Sequence, residues 1–461
     1  MSCLYISAAH KSSGKTTLSI GIVRALRDRG LSLQTFKKGP DYIDPLWLSS
    51  ASGKSCYNLD FYTQTHSEIE ALFARHMAGK QFGMIEGNLG LYDGLDVEGS
   101  NSNAALAALL GVPVVLVINT KGMTRGIAPL LLGYQAFDNA INIAGVILNQ
   151  VGGSRHQSKL VRVIEHYTDL RILGAVQSDP ALSIDERHLG LIPSNEEGHA
   201  EALIKTLAET VKQSIDLDKF LSLAGSNTFS ETTEVISKQY TGLKIGIPKD
   251  KVFGFYYPDD LDRFRELGVE LVTFDALKDR SLPQVDGLFL GGGFPETAMR
   301  ELEMNSTLMH EISGFIESGG PIYAECGGLI YLARSLTWGE KKCKMAGVIP
   351  ADAVMYDKPQ GRGYVKLKET AHNPWSSATD DSQPEVFSAH EFHYSSLQGL
   401  HSPSANFAYE VLRGTGIDGR HDGYVYKNLL ASYTHRRSTG SNPWVDRFLA
   451  HVEACKKMTP G

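Results

Sequence analysis

Short apolar runs alternate with amphipathic stretches along the chain, in two series divided by one polar segment. CLYISAA (3–9) predicts a strand, and TLSIGIVRALRDRG (17–30) repeats its apolar residues at helical spacing up to a stop at Gly30. LQTFKKGPDYIDP (33–45) reads as the next strand with its exit loop. GMIEGN (83–88), VPVVLVIN (112–119), INIAGVILNQ (141–150) and LRILGAV (170–176) read as further strands. Helical stretches are expected at 101–111, 125–137, 156–167 and 198–215. Such alternation predicts an α/β domain whose parallel sheet is covered on both faces. Residues 221–242 are polar and rich in Ser and Thr, which predicts a linker between a first domain, 1–220, and a second, 243–461. The second series runs through LKIGIPKD (243–250), FGFYY (253–257), the helix DDLDRFRELG (259–268), VELVTFD (269–275), GLFLGGG (287–293) and GPIYAECGG (320–328). It predicts another open α/β domain, with a mixed region over 365–460.

Composition narrows the class. With 461 residues and 42% hydrophobic content the chain can build two or three full cores. A net charge of −7 speaks against nonspecific binding to nucleic acid or anionic membrane. No apolar run reaches the roughly 18 residues of a membrane span. The first residues turn polar too early for a signal peptide. The five cysteines are scattered, with no CxxC pair, so a reduced, cytoplasmic protein is expected.

Candidate chemistry appears first at AAHKSSGKTT (8–17), between a strand and a helix. Gly14, Lys15, Thr16 and Thr17 supply the core of a P-loop for ATP: amides at a helix start favour phosphate oxygens, Lys15 reaches the outer phosphates, and Thr16 can ligate Mg²⁺. The usual leading glycine is replaced by Ala8 and Ala9. A Ser-capped helix is the plainer alternative. Carboxylates at strand ends complete a magnesium site; Asp41 and Glu86 are the expected ligands, with Asp44, Asp60 and Asp93 nearby in sequence. Lys38, next to Lys37, is a further phosphate contact unless both lysines are surface charge.

The second centre is PIYAECGGLIYL (321–332), again strand, tight turn and helix. Cys326 at the turn has the setting of a nucleophile elbow, where a helix start is expected to lower a thiol pKa. Gly327 and the glycines of LFLGGGFPE (288–296), Gly292 and Gly293, offer free amides for an oxyanion. The base must be a histidine. His435, at the end of ASYTH, is the first candidate; His390 and His393 in HEFHYSS could instead face the substrate. No His/Cys/Asp spacing suggests a closed metal site. An ATP site and a thiol hydrolase in one chain share a logic: ATP activates a carboxylate as an acyl phosphate, and the cysteine releases ammonia from glutamine to displace the phosphate.

Many ordered motifs, among them SSGKTT, FKKGPDYIDP, NLDFY, EGNLGLYDG, INTKGMTRG, LGGGFPE, AECGGLIYL and HEFHYSS, make nearly the whole chain resemble the cobyrinate a,c-diamide synthase family. The resemblance implies a dethiobiotin-synthetase-like P-loop domain followed by a class I glutaminase (flavodoxin-like) domain. It implies a carbon–nitrogen ligase that uses ATP and Mg²⁺ and takes glutamine and a tetrapyrrole polycarboxylate as partners. The family nucleophile falls on Cys326 and its histidine on His435. One departure stands out: class I glutaminases carry a glutamate two residues after that histidine, and here the position is Arg437. EGNLGLYDG and EGSNSNAALA resemble the siroheme and sirohydrochlorin subgroups, so a siroheme-type acceptor is expected, with cobyrinate or hydrogenobyrinate as the alternative. Tyr92, Ser100, Asn101 and Arg125 are expected to line its cleft. The second half could also carry a homodimer contact. A partitioning-type P-loop ATPase would explain the first half but leaves Cys326 without a role.

Overall fold

The computed structural model describes residues 2–182, 184, 186, 187, 190–196, 198–226, 238–376, 385–400 and 405–458. The chain divides into two compact units, Met1–Thr233 and Glu234–Gly461.

In the first unit the strands are β1 (Ser2–Ala8), β2 (Leu33–Lys38), β3 (Tyr57–Leu59), β4 (Phe82–Glu86), β5 (Val114–Asn119), β6 (Ile143–Val151) and β7 (Arg171–Gln177). They form one parallel sheet in the order β3-β2-β4-β1-β5-β6-β7. Successive side chains leave opposite faces of a strand. Tyr5, Leu116 and Ile118 therefore enter one core while Leu4, Ile6, Val115 and Val117 enter the other. Each fully buried aliphatic side chain contributes about 1.5–3 kcal/mol against its ordering entropy. The helices α1 (Lys15–Asp28), α2 (Ile43–Ser52), α3 (His66–Met77), α4 (Asn103–Leu110), α5 (Ile127–Phe137), α6 (Ser154–Tyr167) and α7 (Ala200–Ser214) connect or flank these strands. Two of them are absent from the sequence reading. The stretch read as an exit loop becomes α2, and α3 starts at a reciprocal Thr65–Glu68 capping box. The expected linker also begins later than 221, since Leu217–Ser222 is a helix capped by Asp216 and Gly225–Ser226 pairs with the start of β1. Its centre, 227–237, lies outside the described residues.

The second unit contains β8 (Lys244–Pro248), α8 (Pro258–Glu266), β9 (Glu270–Phe274), β10 (Gly287–Leu290), β11 (Ile322–Glu325), β12 (Gly361–Glu369), β13 (Val386–His393), β14 (Asn406–Arg413), β15 (His421–Tyr426) and β16 (Leu429–Ser432). Its sheet runs β9-β8-β10-β11-β16-β15-β14-β12-β13. The first five strands are parallel, and in order of appearance they read 2-1-3-4-5. The other four extend the sheet antiparallel, which resolves the mixed region of the sequence. None of the described helices is long and apolar enough to cross a membrane.

Candidate functional site

The phosphate loop links β1 to α1. Gly14 caps α1 with φ +84, a left-handed conformation that favours glycine, and a Cβ there would stand 2.2 Å from Asn149 Nδ2. That same amide donates to the Ser13 carbonyl at 2.9 Å, so Asn149 at the end of β6 braces the loop. Lys15 opens the helix, and its Nζ donates to the Leu89 carbonyl at 2.7 Å. Burial, with the neighbouring Lys37 charge, lowers the Lys15 pKa to about 8. Thr17 follows in the first turn.

Around Thr16 the structure gathers charge. Its Oγ1 donates to Glu86 Oε1 at 2.7 Å and to Asp44 Oδ2 at 3.2 Å. Lys37 is buried, not a surface charge: Nζ lies 2.8 Å from Glu86 Oε1, 2.5 Å from Asp44 Oδ2 and 3.8 Å from Asp41 Oδ2. Lys37 and Glu86 pair directly in parallel register, which puts their side chains on one face of the sheet. Burial opposes ionisation of Asp44, but the Lys37 ammonium outweighs it and holds the carboxyl below its ordinary value. Asp44 lies in the first turn of α2. Asp41 Oδ1 instead accepts from the amides of Ile43 and Asp44, and burial beside Asp44 raises its pKa to about 7. Glu86 is fully buried, and its Oε2 has no hydrogen-bond partner. Lys38 projects to the other side, 3.4 Å from Asn88 Oδ1, with its pKa lowered to about 8 by burial. Asp60 accepts from Thr63 Oγ1 and the Tyr62 amide, and Asp93 from the Gly90 amide. Among the described residues no three His, Cys, Asp or Glu side chains are arranged to hold a metal ion; the Lys37 ammonium stands where these carboxylates converge.

The expected cleft residues are engaged locally. Tyr92 donates to the Tyr134 carbonyl at 2.8 Å and packs on the rings of Tyr134 and Phe137. Ser100 bonds to Asp96, and Asn101 Oδ1 accepts from the Leu95 amide, so both close their own loop. Arg125 is exposed, with its guanidinium 5.4 Å over the Tyr167 ring.

In the second unit Cys326 sits between β11 and a helix, α9 (Gly327–Leu332), at φ 45 and ψ −97. That backbone is strained for a non-glycine residue, as a nucleophile elbow requires. The Cys326 amide donates to Ser432 O at 2.8 Å and the Gly328 amide to Gly291 O at 3.1 Å, which pins the turn. The thiol is 6% exposed, and burial with the Glu296 and Glu325 charges pushes its pKa up. This reverses the expected lowering, because the start of a six-residue helix does not offset desolvation. Gly292 and Gly293 pair antiparallel with Phe255 and Phe253. Gly293 still lies against the turn, since a Cβ on Gly327 would come 2.8 Å from its nitrogen.

His435 follows β16, so parallel pairing of β11 with β16 brings it to the cysteine end of the sheet. Its Nδ1 is 3.3 Å from Glu325 Oε2. His390 exchanges backbone hydrogen bonds with His435, and the rings stack at 5.0 Å. Burial, with the His435 and Arg437 charges, holds His390 well below its usual pKa, hence neutral. His393 stacks on Tyr433 at 3.8 Å, with Nδ1 2.8 Å from Ser395 O. Both histidines are buried. Asp422, accepting from the amides of Tyr433 and Thr434, fixes the 433–435 segment. Sequence reasoning missed Asn149, Asp422 and the Glu325 contact.

Residues 244–443 match a family model described as a CobB/CobQ-like glutamine amidotransferase domain, and residues 66–185 one described as an AAA domain. Over 455 residues the chain is 43% identical to the cobyrinate a,c-diamide synthase of Magnetococcus marinus, covering 97% of this chain and 96% of that protein. The chain belongs to the cobyrinate a,c-diamide synthase family. The synthase of Archaeoglobus fulgidus is 39% identical, with 93% of each chain covered, and that of Methanobrevibacter smithii 37%, with 94% and 95% covered. As a member of this family the protein is an ATP-dependent amide ligase with glutamine as nitrogen donor, built from a P-loop-like N-terminal domain and a class I glutaminase domain.

Proposed function

We propose that this protein amidates two acetate carboxylates of a corrin precursor, cobyrinate or hydrogenobyrinate, with ATP and glutamine. The observation that carries this reading is the likeness to relatives named for cobyrinate a,c-diamide synthesis, which extends over both halves of the chain. The expectation of a siroheme-type acceptor gives way to it. That expectation rests on the loops around EGNLGLYDG and SNSN, and there Ser100 and Asn101 bond within their own loop.

In the glutaminase half, His435 takes the Cys326 proton as sulfur attacks the glutamine amide carbon. The imidazolium then protonates the departing nitrogen, the C–N bond breaks, and water cleaves the thioester to glutamate. Gly327 and the Gly292–Gly293 segment are the candidate oxyanion wall. In the other half the amides of Gly14–Thr17, with Lys15 and Lys38, hold the ATP phosphates. An acceptor carboxylate oxygen attacks the γ-phosphorus and ADP leaves; ammonia then attacks the acyl carbon and phosphate departs with the bridging oxygen. Magnesium is usually held by one or two carboxylates together with phosphates and water. Thr16, Asp44 and Glu86, with its unpartnered Oε2, fit that need, and the ion would neutralise charge on the phosphates. Arg125 is the candidate partner for an acceptor carboxylate, while His390 and His393 support the glutaminase base. The strand order 2-1-3-4-5 supports the flavodoxin-like reading of the second domain. The synthetase half is assigned to about 1–220, extended by the Gly225–Ser226 strand, and the glutaminase half to 243–461.

The test is a mass measurement of cobyrinate, hydrogenobyrinate and siroheme after incubation with ATP, Mg²⁺ and glutamine, with kcat/KM at matched concentrations. Two amides gained on the corrin acid, faster than any on siroheme, are expected. Preference for siroheme would reject the acceptor while leaving the amide-ligase chemistry intact.

A further inference from the structure

Arg437 occupies the position from which class I glutaminases orient their histidine, and it is turned elsewhere. Its Nε donates to Asp259 at 2.7 Å and its guanidinium lies 5.0 Å over the Tyr257 ring. We propose that Glu325, the residue immediately before the nucleophile, is the positioning acid for His435: its carboxylate orients the imidazole and stabilises the imidazolium formed when Cys326 loses its proton. This rests on the reading of Cys326 and His435 as nucleophile and base.

Three observations converge on Glu325. Its Oε2 stands 3.3 Å from His435 Nδ1, and both side chains are nearly fully buried, at 2% and 3% exposure. Its Oε1 accepts from Tyr323 Oη at 2.6 Å and from the Arg436 amide at 2.8 Å. Tyr323 and Glu325 alternate onto one face of β11, so the phenol reaches the carboxylate without leaving the strand. These two bonds fix the carboxylate plane and leave Oε2 for the histidine. A buried carboxylate is costly unless it is paired. Neither arginine side chain nearby supplies the pairing: Arg437 goes to Asp259, and Arg436 to Tyr409 and Asn442. The titratable groups around the His435 ring are Glu325 from β11, His390 from β13 and Arg437 on its own segment. His390 is neutral and Arg437 cationic; of the carboxylates whose charge reaches Cys326, namely Glu296, Glu325 and Asp422, Glu325 is the one that pairs with His435. Glu325 approaches the imidazole from its Nδ1 side at 3.3 Å, and the thiol proton passes from Sγ to the imidazole with no other reactant. Placing the acid on the nucleophile's strand makes the elbow and the base orienter one rigid element.

The experiment uses the full chain and compares Glu325→Gln, Glu325→Asp, Tyr323→Phe and His435→Ala. It reads glutamate release for kcat and KM, and iodoacetamide inactivation against pH, with circular dichroism for folding. Glu325→Gln keeps an acceptor for Tyr323 and Arg436 but removes the charge. It is expected to lower kcat by about 10²-fold with KM within about threefold, and to move the inactivation profile to higher pH. Glu325→Asp should recover part of that loss, which a packing role would not predict. A folded Glu325→Gln protein with unchanged kcat and an unmoved profile overturns the proposal, as does a change confined to KM. Should Glu325→Gln fail to fold, Tyr323→Phe decides: a profile shifted the same way supports the proposal, and an unmoved one overturns it. His435→Ala separates the two levels. Glutamine hydrolysis surviving there removes His435 as base; its loss there, with Glu325→Gln active, removes only Glu325.

Discussion

The two halves handle buried charge in opposite ways. The phosphate site gathers charged groups against one another: Lys37 is clasped by Asp44 and Glu86, Thr16 bonds to both carboxylates, and Lys15 stands beside them. The cysteine site instead holds its reacting groups uncharged, with a protonated thiol and a neutral His390, while Glu325 stands against the base. Each suits its chemistry. Phosphoryl transfer is catalysed by fixed charge and positioning, whereas thioester formation needs a proton that moves from the thiol to the base and on to the departing nitrogen. The first site can be built before its substrates arrive. The second ionises only as glutamine is attacked.

Cutting one site at a time sharpens this contrast most. Cys326→Ala should lower glutamine-driven amidation by roughly 10⁴-fold and spare amidation from added ammonium, because only the thioester step is lost. Lys15→Ala should abolish amidation from both nitrogen sources. Parallel assays with glutamine and with ammonium chloride check both variants. Equal loss with ammonium in a folded Cys326→Ala protein, or intact ammonium-driven amidation in Lys15→Ala, would break the division of labour.

Within the charged cluster the acids should rank unequally. Asp44 touches Thr16 and Lys37, whereas Asp41 caps two amides at the start of α2. Asp44→Asn and Glu86→Gln are each expected to cost roughly 10²-fold in ATP-dependent turnover, with Asp41→Asn well below that. ADP release under ammonium-driven conditions measures all three, and a larger loss for Asp41→Asn would reverse the assignment.

The phosphate loop is legible in the sequence because strand, turn and helix are contiguous there. Asp44 is harder to rank, because its position depends on α2, which PDYIDP does not announce. The Cys326 turn is legible for the same local reason as the phosphate loop. Its thiol pKa is not, since desolvation comes from distant elements packed over a short helix. The Glu325 contact is invisible for a third reason: it depends on pairing β11 with β16, strands far apart in the chain. Local motifs give the reacting atoms, and tertiary register gives the groups that tune them.

Steric fit around the base supplies a smaller test. A Cβ on Gly292 would stand 2.5 Å from His435 Cε1 and 3.2 Å from Phe255 Cβ, so alanine must displace the ring or the backbone. Gly292→Ala is expected to lower glutaminase kcat by roughly 10- to 100-fold, while ammonium-driven amidation continues. Glutamate release at the parent rate would show that His435 tolerates displacement and does not act as a positioned base.

The smallest effect is a pH dependence confined to the charged half. Burial lowers Lys15 and Lys38 to about 8, so in the free protein both begin to lose their protons well below the ordinary lysine range. ATP phosphates favour the charged amines, so above that pH binding must take up protons. The sign follows: affinity is nearly flat on the acid side of pH 8 and falls on the alkaline side. The limit is about tenfold per pH unit for each lysine engaged. Between about pH 7 and about pH 9 the ATP Kd should therefore rise several-fold, and calorimetry in buffers of different ionisation enthalpy should register proton uptake. Lys38→Met should leave a shallower rise that is due to Lys15 alone. A Kd that stays flat across this range in the parent protein would mean that ATP binding restores no proton to either lysine.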